Sequence, residues 1–435
     1  MTLQDIKTAY QQKHHLPGTY EKMAAHTHAH VQEKKQIKLI KNTKFVRHGT
    51  KDLGQLMRKY EITPTLDTPF TIVHDVVEDI TRAHKLLSKM HISTHEPEKH
   101  TVMRMQKRDA AGKLGDVPAE DVQNDSEYLA SVDIGTPPQT LNLNFDTGSS
   151  DLWVYSTKLP KDTLKQSIQY GDGSTAKGCV GTDTVRIGGL SVEGQAVELA
   201  EDVSDSFIKS QGDGLCGLAF GTINTVKPSP VHTPVENMMI QGDIAQDQQL
   251  FTAYLTNRID GVPPCYTFGY IDDALVAGGT INYAPVDSSR GFWQIKSEKA
   301  SINGTDLSLP NQTAIMDTGT TLAMIDDTTC KALYDAIPGS KYSPTDGGYI
   351  YPSTTPRSSL PILKLWIGDN AVTIDPDDIG FADLGNGFVF GGFQSRGNLG
   401  MSIFGGSVLK SVYAVFDQGN KRFGFVQKVD LQAGK

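Results

Sequence analysis

The feature that most limits what this chain can become is a short string that occurs twice. Phe145-Asp146-Thr147-Gly148-Ser149-Ser150-Asp151-Leu152-Trp153-Val154 is followed, 171 residues later, by Met316-Asp317-Thr318-Gly319-Thr320-Thr321-Leu322. In each, an apolar residue precedes Asp-Thr-Gly and hydroxyl residues follow it. Each Asp closes an apolar, strand-like run and opens a turn. Before the first, Leu141, Leu143 and Phe145 alternate with Asn142 and Asn144, the period of a half-buried strand. One such triplet arises easily by chance. Two with matched flanks point to two equivalent halves, each presenting one loop.

The residue types carry a chemistry. An amide is hydrolysed without metal or covalent intermediate when one carboxylate takes a proton from water and a carboxylic acid protonates the carbonyl. Two carboxyl groups about 3 Å apart cannot both ionise cheaply, so they share one proton. The roles then follow: Asp146 and Asp317 as the catalytic pair, and Gly148 and Gly319 permitting close backbone approach. Thr147 and Thr318 hydrogen-bond across to the opposite loop, and Ser149 and Thr320 donate to the outer carboxylate oxygens.

The surroundings are those of a β-rich body. From about residue 125, short alternating or apolar runs separated by Gly, Asp, Pro and Ser continue to the C-terminus, among them 128–134, 184–187, 251–255, 280–283, 388–390 and 412–416. Residues 327–337 carry the best helical pattern, and a weak midpoint falls near 285–290. Before residue 115 the chain reads as helix and loop. Leu53, Leu56 and Met57 fall at helical spacing, and Val73, Val76, Val77, Ile80 and His84 place a second helix over 73–90.

Charge divides the chain at the same place. Residues 1–114 hold 20 basic and 12 acidic residues, a net +8, and eleven of the twelve His; residues 115–435 carry a net −17. A basic first quarter either covers the acidic body or stands off it as a solvated basic tail. The acidic body is a poor nucleic-acid partner. No uncharged apolar stretch reaches 18 residues. The polar start, MTLQDIKTAYQQKHH, lacks the apolar core of a secretory leader.

Other signals are set aside. Gly212-Asp213-Gly214-Leu215-Cys216-Gly217 has dinucleotide spacing, but Ala219-Phe220-Gly221 breaks the helix that such a site needs. His26, His28 and His30 read as a polar tail. No H-E-x-x-H, zinc-type Cys spacing or G-x-S-x-G occurs. Asn124, Asn303 and Asn311 open N-x-S/T triplets.

With these motifs in order, the chain resembles the pepsin-like aspartic endopeptidases, fungal members above all, over about 125–428. The resemblance implies a mainly β, bilobal fold: a mixed helix/strand prosegment (1–114, cleaved near 108–118), an N-terminal lobe (115–286) and a C-terminal lobe (287–435), with the active site between the lobes. Ser167-Ile168-Gln169-Tyr170-Gly171-Asp172-Gly173-Ser174 is similar to the family's flap over substrate, with Tyr170 hydrogen-bonded to Trp153. Asp172 is the flap residue that in some fungal members accompanies acceptance of Lys before the cleaved bond. Asp213-Gly214-Leu215-Cys216-Gly217 and Ile403-Phe404-Gly405 resemble the strands that thread behind the two Asp loops. Lys59-Tyr60 matches the prosegment pair that enters the active site.

Lys107-Arg108 is a dibasic site in a linker-like stretch. In place of the Asp that follows the second apolar-apolar-Gly in many relatives stands Gly406. The family's second-lobe disulfide falls at Ser353 and Phe390, so no disulfide is expected and Cys179, Cys216, Cys265 and Cys330 are expected as free thiols. The resemblance further implies no cofactor and no metal, protein and peptide substrates, inhibition by pepstatin-type compounds, no membrane span, a monomer, and secretion or a vacuole. A catalytically silent binding protein on the same scaffold is the competing reading, and the two intact Asp-Thr-Gly strings argue against it.

Overall fold

The structure is a computed structural model that describes residues 36–41, 48–78, 99–108, 114–116, 128–155, 164–169, 175–203, 212–256 and 264–428. Among the described residues thirteen strands form one continuous sheet, and smaller sheets of five and four strands build the second half.

The two halves repeat one pattern. Strand Gln139–Asp146 runs parallel to Gly214–Gly217, which lies antiparallel to Leu152–Tyr155. Strand Thr313–Met316 runs parallel to Ser402–Phe404, which lies antiparallel to Ala323–Ile325. Each inner strand is buried along its whole length, as a strand covered on both faces must be. Gly217 is required here by close approach: a Cβ would stand 2.5 Å from Ser150 Cα. The halves meet over an aromatic core in which Phe251 stacks on Phe416 with centroids 4.7 Å apart and Trp293 packs edge-on to both. Trp293 Nε1 donates to Leu218 O across the seam at 3.0 Å.

The first quarter is woven into this body. Strand Gln36–Lys41 pairs with Cys265–Phe268 through Gln36 to Lys38 and with Tyr128–Ile134 through Leu39 to Lys41. Helix Gly49–Lys59 forms where the Leu53/Leu56/Met57 spacing places it. Its apolar face packs with Ile62 against Leu322, Met324, Ile350, Phe390 and Ile403 of the second half. Contact is close enough that a Cβ on Gly49 would overlap the Phe390 ring at 2.0 Å.

Three expectations are corrected. The second helix, over 73–90, is in its described part a strand, Phe70–Glu78, paired antiparallel with Lys99–Arg108. Phe70, Ile72 and Val76 also satisfy a two-residue period, and the β-branched Thr71, Ile72, Val73, Val76 and Val77 favour it. Lys107-Arg108 is not in a linker: both residues are paired, to strand Leu114–Asp116 on one side and, through Lys107, to Phe70 on the other. Ser353 and Phe390 do not face each other. Phe390 lies opposite Ile350, and Ser353 N donates to Gly387 O at 2.9 Å. Cys216, Cys265 and Cys330 are buried thiols and Cys179 is partly buried; all four are free.

Candidate active site

Asp146 and Asp317 end two strands that the fold brings together tip to tip, and both are buried, 2% and 0% exposed. The loops that carry them hold each other through four hydrogen bonds in a two-fold arrangement. Thr147 N–H donates to Thr318 Oγ1 (3.1 Å) and Thr318 N–H to Thr147 Oγ1 (2.9 Å). The two hydroxyls donate in turn to Met316 O (2.8 Å) and Phe145 O (2.7 Å). A hydroxyl is needed at both positions because each must accept one bond and donate another.

Within each loop the carboxylate is fixed at both oxygens. Gly148 N–H donates to Asp146 Oδ1 (2.8 Å) and Gly319 N–H to Asp317 Oδ1 (2.9 Å). Ser149 Oγ donates to Asp146 Oδ2 at 2.6 Å, and Thr320 Oγ1 donates to Asp317 Oδ2. Glycine leaves room for the pair to meet. A Cβ on Gly319 would lie 2.2 Å from Asp146 Oδ1, and one on Gly148 2.7 Å from Asp317 Oδ1.

Lys59 and Tyr60, at the C-terminal end of helix Gly49–Lys59, occupy the space in front of the pair. Lys59 Nζ lies 3.1 Å from Asp146 Oδ1 and 3.1 Å from Asp317 Oδ2, bridging both carboxyl groups. Tyr60 donates to Asp317 Oδ2 at 2.5 Å and its ring approaches Phe292.

Electrostatically the two acids are pushed apart. Burial raises Asp146 to about 6 against the pull of the Lys59 ammonium, and the neighbouring Asp317 raises it further. Burial also acts upward on Asp317, but Lys59 together with the hydrogen bonds from Asp146, Thr320 and Tyr60 holds it below the ordinary carboxylate value. Two carboxyl groups coupled in this way share one proton between them, and the titration belongs to the pair. Lys59 is held above its ordinary value: burial opposes its charge, and the two carboxylates more than compensate.

Behind the first loop lies a support that the motif reading missed. Asp151, 2% exposed, accepts Thr225 N–H at 2.8 Å and hydrogen-bonds to Glu198, itself 1% exposed. Asn224 Nδ2 donates to Ser150 O at 3.1 Å and spans to Glu198. Burial raises Asp151 to about 6, against the hydrogen bonds from Thr225 and Glu198. The signal was available: a charged residue directly before the apolar run Leu152-Trp153-Val154 has no surface to face once that strand is buried. Tyr170, Gly171 and Asp172 lie outside the described residues, as do His26, His28, His30 and Asn124; Trp153 is described, buried and edge-on to Tyr155.

No group of three or more His, Cys, Asp or Glu capable of holding a metal occurs among the described residues, and none of their helices is long and apolar enough to cross a membrane.

Comparison with known proteins agrees with this geometry. A model of the family "Eukaryotic aspartyl protease" matches residues 127–167 and 156–428. The chain is 41% identical over 345 residues to aspergillopepsin-1 of Aspergillus pseudoglaucus, covering 75% of this chain and 85% of that protein. It is 39% identical over 337 residues to penicillopepsin-1 of Penicillium rubens, covering 73% and 82%. A crystal structure of the aspartic proteinase from Irpex lacteus superposes with a TM-score of 0.59 at 24% identity, over 71% of this chain and 96% of that one, and has the same fold. The chain belongs to the eukaryotic aspartyl protease family.

Proposed function

We propose that this protein is an endopeptidase working at acid pH through Asp146 and Asp317, and that it is made as a precursor blocked by its own first quarter. The observation that carries the reading is the adjacency of two buried, coupled carboxyl groups, held by reciprocal threonine bonds. With Lys59 and Tyr60 withdrawn, a water between the two takes their place. The Asp317 carboxylate accepts a proton from it as its oxygen attacks the peptide carbonyl carbon, while Asp146 gives its proton to the carbonyl oxygen. Return of protons through the same pair to the amide nitrogen breaks the C–N bond. All steps use carboxyl groups and water.

Latency follows from the same contacts. The ammonium of Lys59 is held only while a carboxylate faces it. As pH falls through the value of each acid the bridge is lost, and the basic, His-rich first quarter gains charge. Acid surroundings, the medium or a vacuole, fit this logic. The mature chain is proposed to begin after cleavage near 108–118 and to be a monomer that binds pepstatin-type inhibitors and protein or peptide substrates. The N-terminal lobe is proposed to span 115–286 and the C-terminal lobe 287–435, with Tyr170, Gly171 and Asp172 closing over substrate.

The test is hydrolysis of a protein substrate at acid pH by acid-treated protein. Asp146→Asn and Asp317→Asn are each expected to reduce it by roughly a thousandfold or more. Turnover that persists in either variant, or none in the acid-treated wild type, overturns the assignment; the latter result favours a silent binding scaffold.

A further inference from the structure

Behind the acid pair the two halves are anchored differently. In the second half the neighbouring strand follows the string to its end: Gln294 lies opposite Ile315, and Met316 N–H, immediately before Asp317, donates to Trp293 O at 3.1 Å. In the first half the ladder between Tyr128–Ile134 and Gln139–Asp146 ends at Leu129 opposite Asn144. Tyr128 pairs with Lys41 instead and sends its hydroxyl to Thr256 O at 2.9 Å. The peptide unit that joins Phe145 to Asp146 therefore lies beyond the end of that ladder.

A side chain reaches it. Tyr266, 0% exposed in strand Cys265–Phe268, packs its ring against Phe145 with centroids 5.1 Å apart. Its hydroxyl donates to Phe145 O at 3.4 Å and hydrogen-bonds to the side chain of Thr318, the residue after Asp317. Thr318 Oγ1 donates to the same carbonyl at 2.7 Å. A carbonyl oxygen has two lone pairs and accepts both. One phenol thus touches the loops of both halves where they grip each other. Burial raises it above the ordinary tyrosine value against the Thr318 contact, and the neighbouring Asp146, Asp317 and Cys216 act in the same upward sense. The hydroxyl is a constant donor throughout the acid range.

We infer that Tyr266 is a positioning residue for hydrolysis: its hydroxyl fixes the plane of the Phe145-Asp146 peptide and so keeps the Asp146 carboxyl in register with Asp317. The inference rests on the proposed protease reading. The carbonyl it holds belongs to the peptide whose nitrogen is that of Asp146, so a rotation there swings the carboxyl directly. Small misplacements of a reacting group cost far more in turnover than in stability. Tyr266 stands behind the pair, whereas Lys59 and Tyr60 mark the space in front of it. Its contribution therefore falls on kcat and leaves KM alone.

The experiment uses acid-activated full-length protein and one cleavable peptide, with kcat referred to the folded fraction read by near-ultraviolet circular dichroism. Tyr266→Phe is expected to lower kcat about tenfold, the worth of one hydrogen bond made where geometry is critical, with KM within about twofold of the wild type. Tyr334→Phe is the control. Tyr334, 1% exposed in helix Asp327–Asp335, donates to Phe393 O at 2.8 Å, so its variant also loses a buried phenol bond. It is expected to lose stability and keep its kcat. Tyr266 and Thr318 serve one carbonyl, so the kcat losses of Tyr266→Phe and Thr318→Val are expected to combine to less than their product.

A kcat within about twofold of the wild type in Tyr266→Phe, a loss carried by KM alone, an equal kcat loss in Tyr334→Phe, or combined losses that multiply overturns the role. Asp317→Asn reads the protease assignment separately: turnover that survives that change fails the assignment, whatever Tyr266→Phe does, so the two failures are told apart.

Discussion

Asp151 offers the sharpest test of how this molecule depends on acid. It is a carboxyl group with a value of about 6, buried behind the Asp146 loop, where an unfolded chain holds it near 3.8. The native state therefore keeps a proton that the unfolded state has given up. The stabilisation is complete below the unfolded value and is lost as pH rises through about 6. The gap corresponds to roughly 3 kcal/mol in full, most of which falls between about pH 4 and pH 7.5. Asp151→Asn keeps the shape, accepts the Thr225 N–H through its amide oxygen, and carries no titratable proton. Denaturant unfolding followed by the fluorescence of Trp153 and Trp293, both buried, measures the effect. The comparison is made in an Asp317→Asn background, so that self-cleavage does not intervene. The variant is expected to lose about 2 kcal/mol less stability than its parent between those pH values. Parallel pH dependences in the two proteins would refute the reasoning and assign the neutral-pH loss to other groups, Asp146 and Asp243 first.

Further expectations follow from the same contacts. Lys59→Ala removes the cation that bridges both carboxyl groups and is expected to speed acid activation several-fold, read from the time course of the size shift on gels; unchanged kinetics would take Lys59 out of the latch. Thr318→Val deletes the hydroxyl that accepts Thr147 N–H and donates to Phe145 O. It is expected to cost about 2–3 kcal/mol of stability and at least tenfold in kcat, and near-wild-type turnover would show that the loops do not need each other. For the flap position, Asp172→Thr is expected to abolish cleavage after Lys in a peptide series while sparing cleavage after Leu, and Lys cleavage that survives the change would remove Asp172 from specificity.

Much of the site was legible because its parts are local strings. Asp-Thr-Gly states its own turn, glycine requirement and hydroxyl partners, and the charge split announces that one segment covers another. What escaped notice depends on where distant strands fall. Glu198 sits at an inward position of a strand that runs parallel to Leu152–Tyr155, and only that register puts it beside Asp151. Tyr266 is an ordinary strand residue until the fold lays it on Phe145 and Thr318. The misread helix over 73–90 failed for a different reason: a run rich in Val and Ile fits both periods, and pairing with Lys99–Arg108 decided it.

Strand Gln36–Lys41 sits as a plank within the thirteen-stranded sheet, hydrogen-bonded through Leu39 to Lys41 to Tyr128–Ile134 and through Gln36 to Lys38 to Cys265–Phe268. Removal of the first quarter, as proposed, is thus more than lifting a plug out of a cleft. It opens a slot in the middle of a sheet and bares two rows of amide and carbonyl groups that water or another extended stretch must satisfy. Under the proposed precursor reading, a chain trimmed before that slot is refilled is a sticky species, and the order of these two events would govern how much active protein survives.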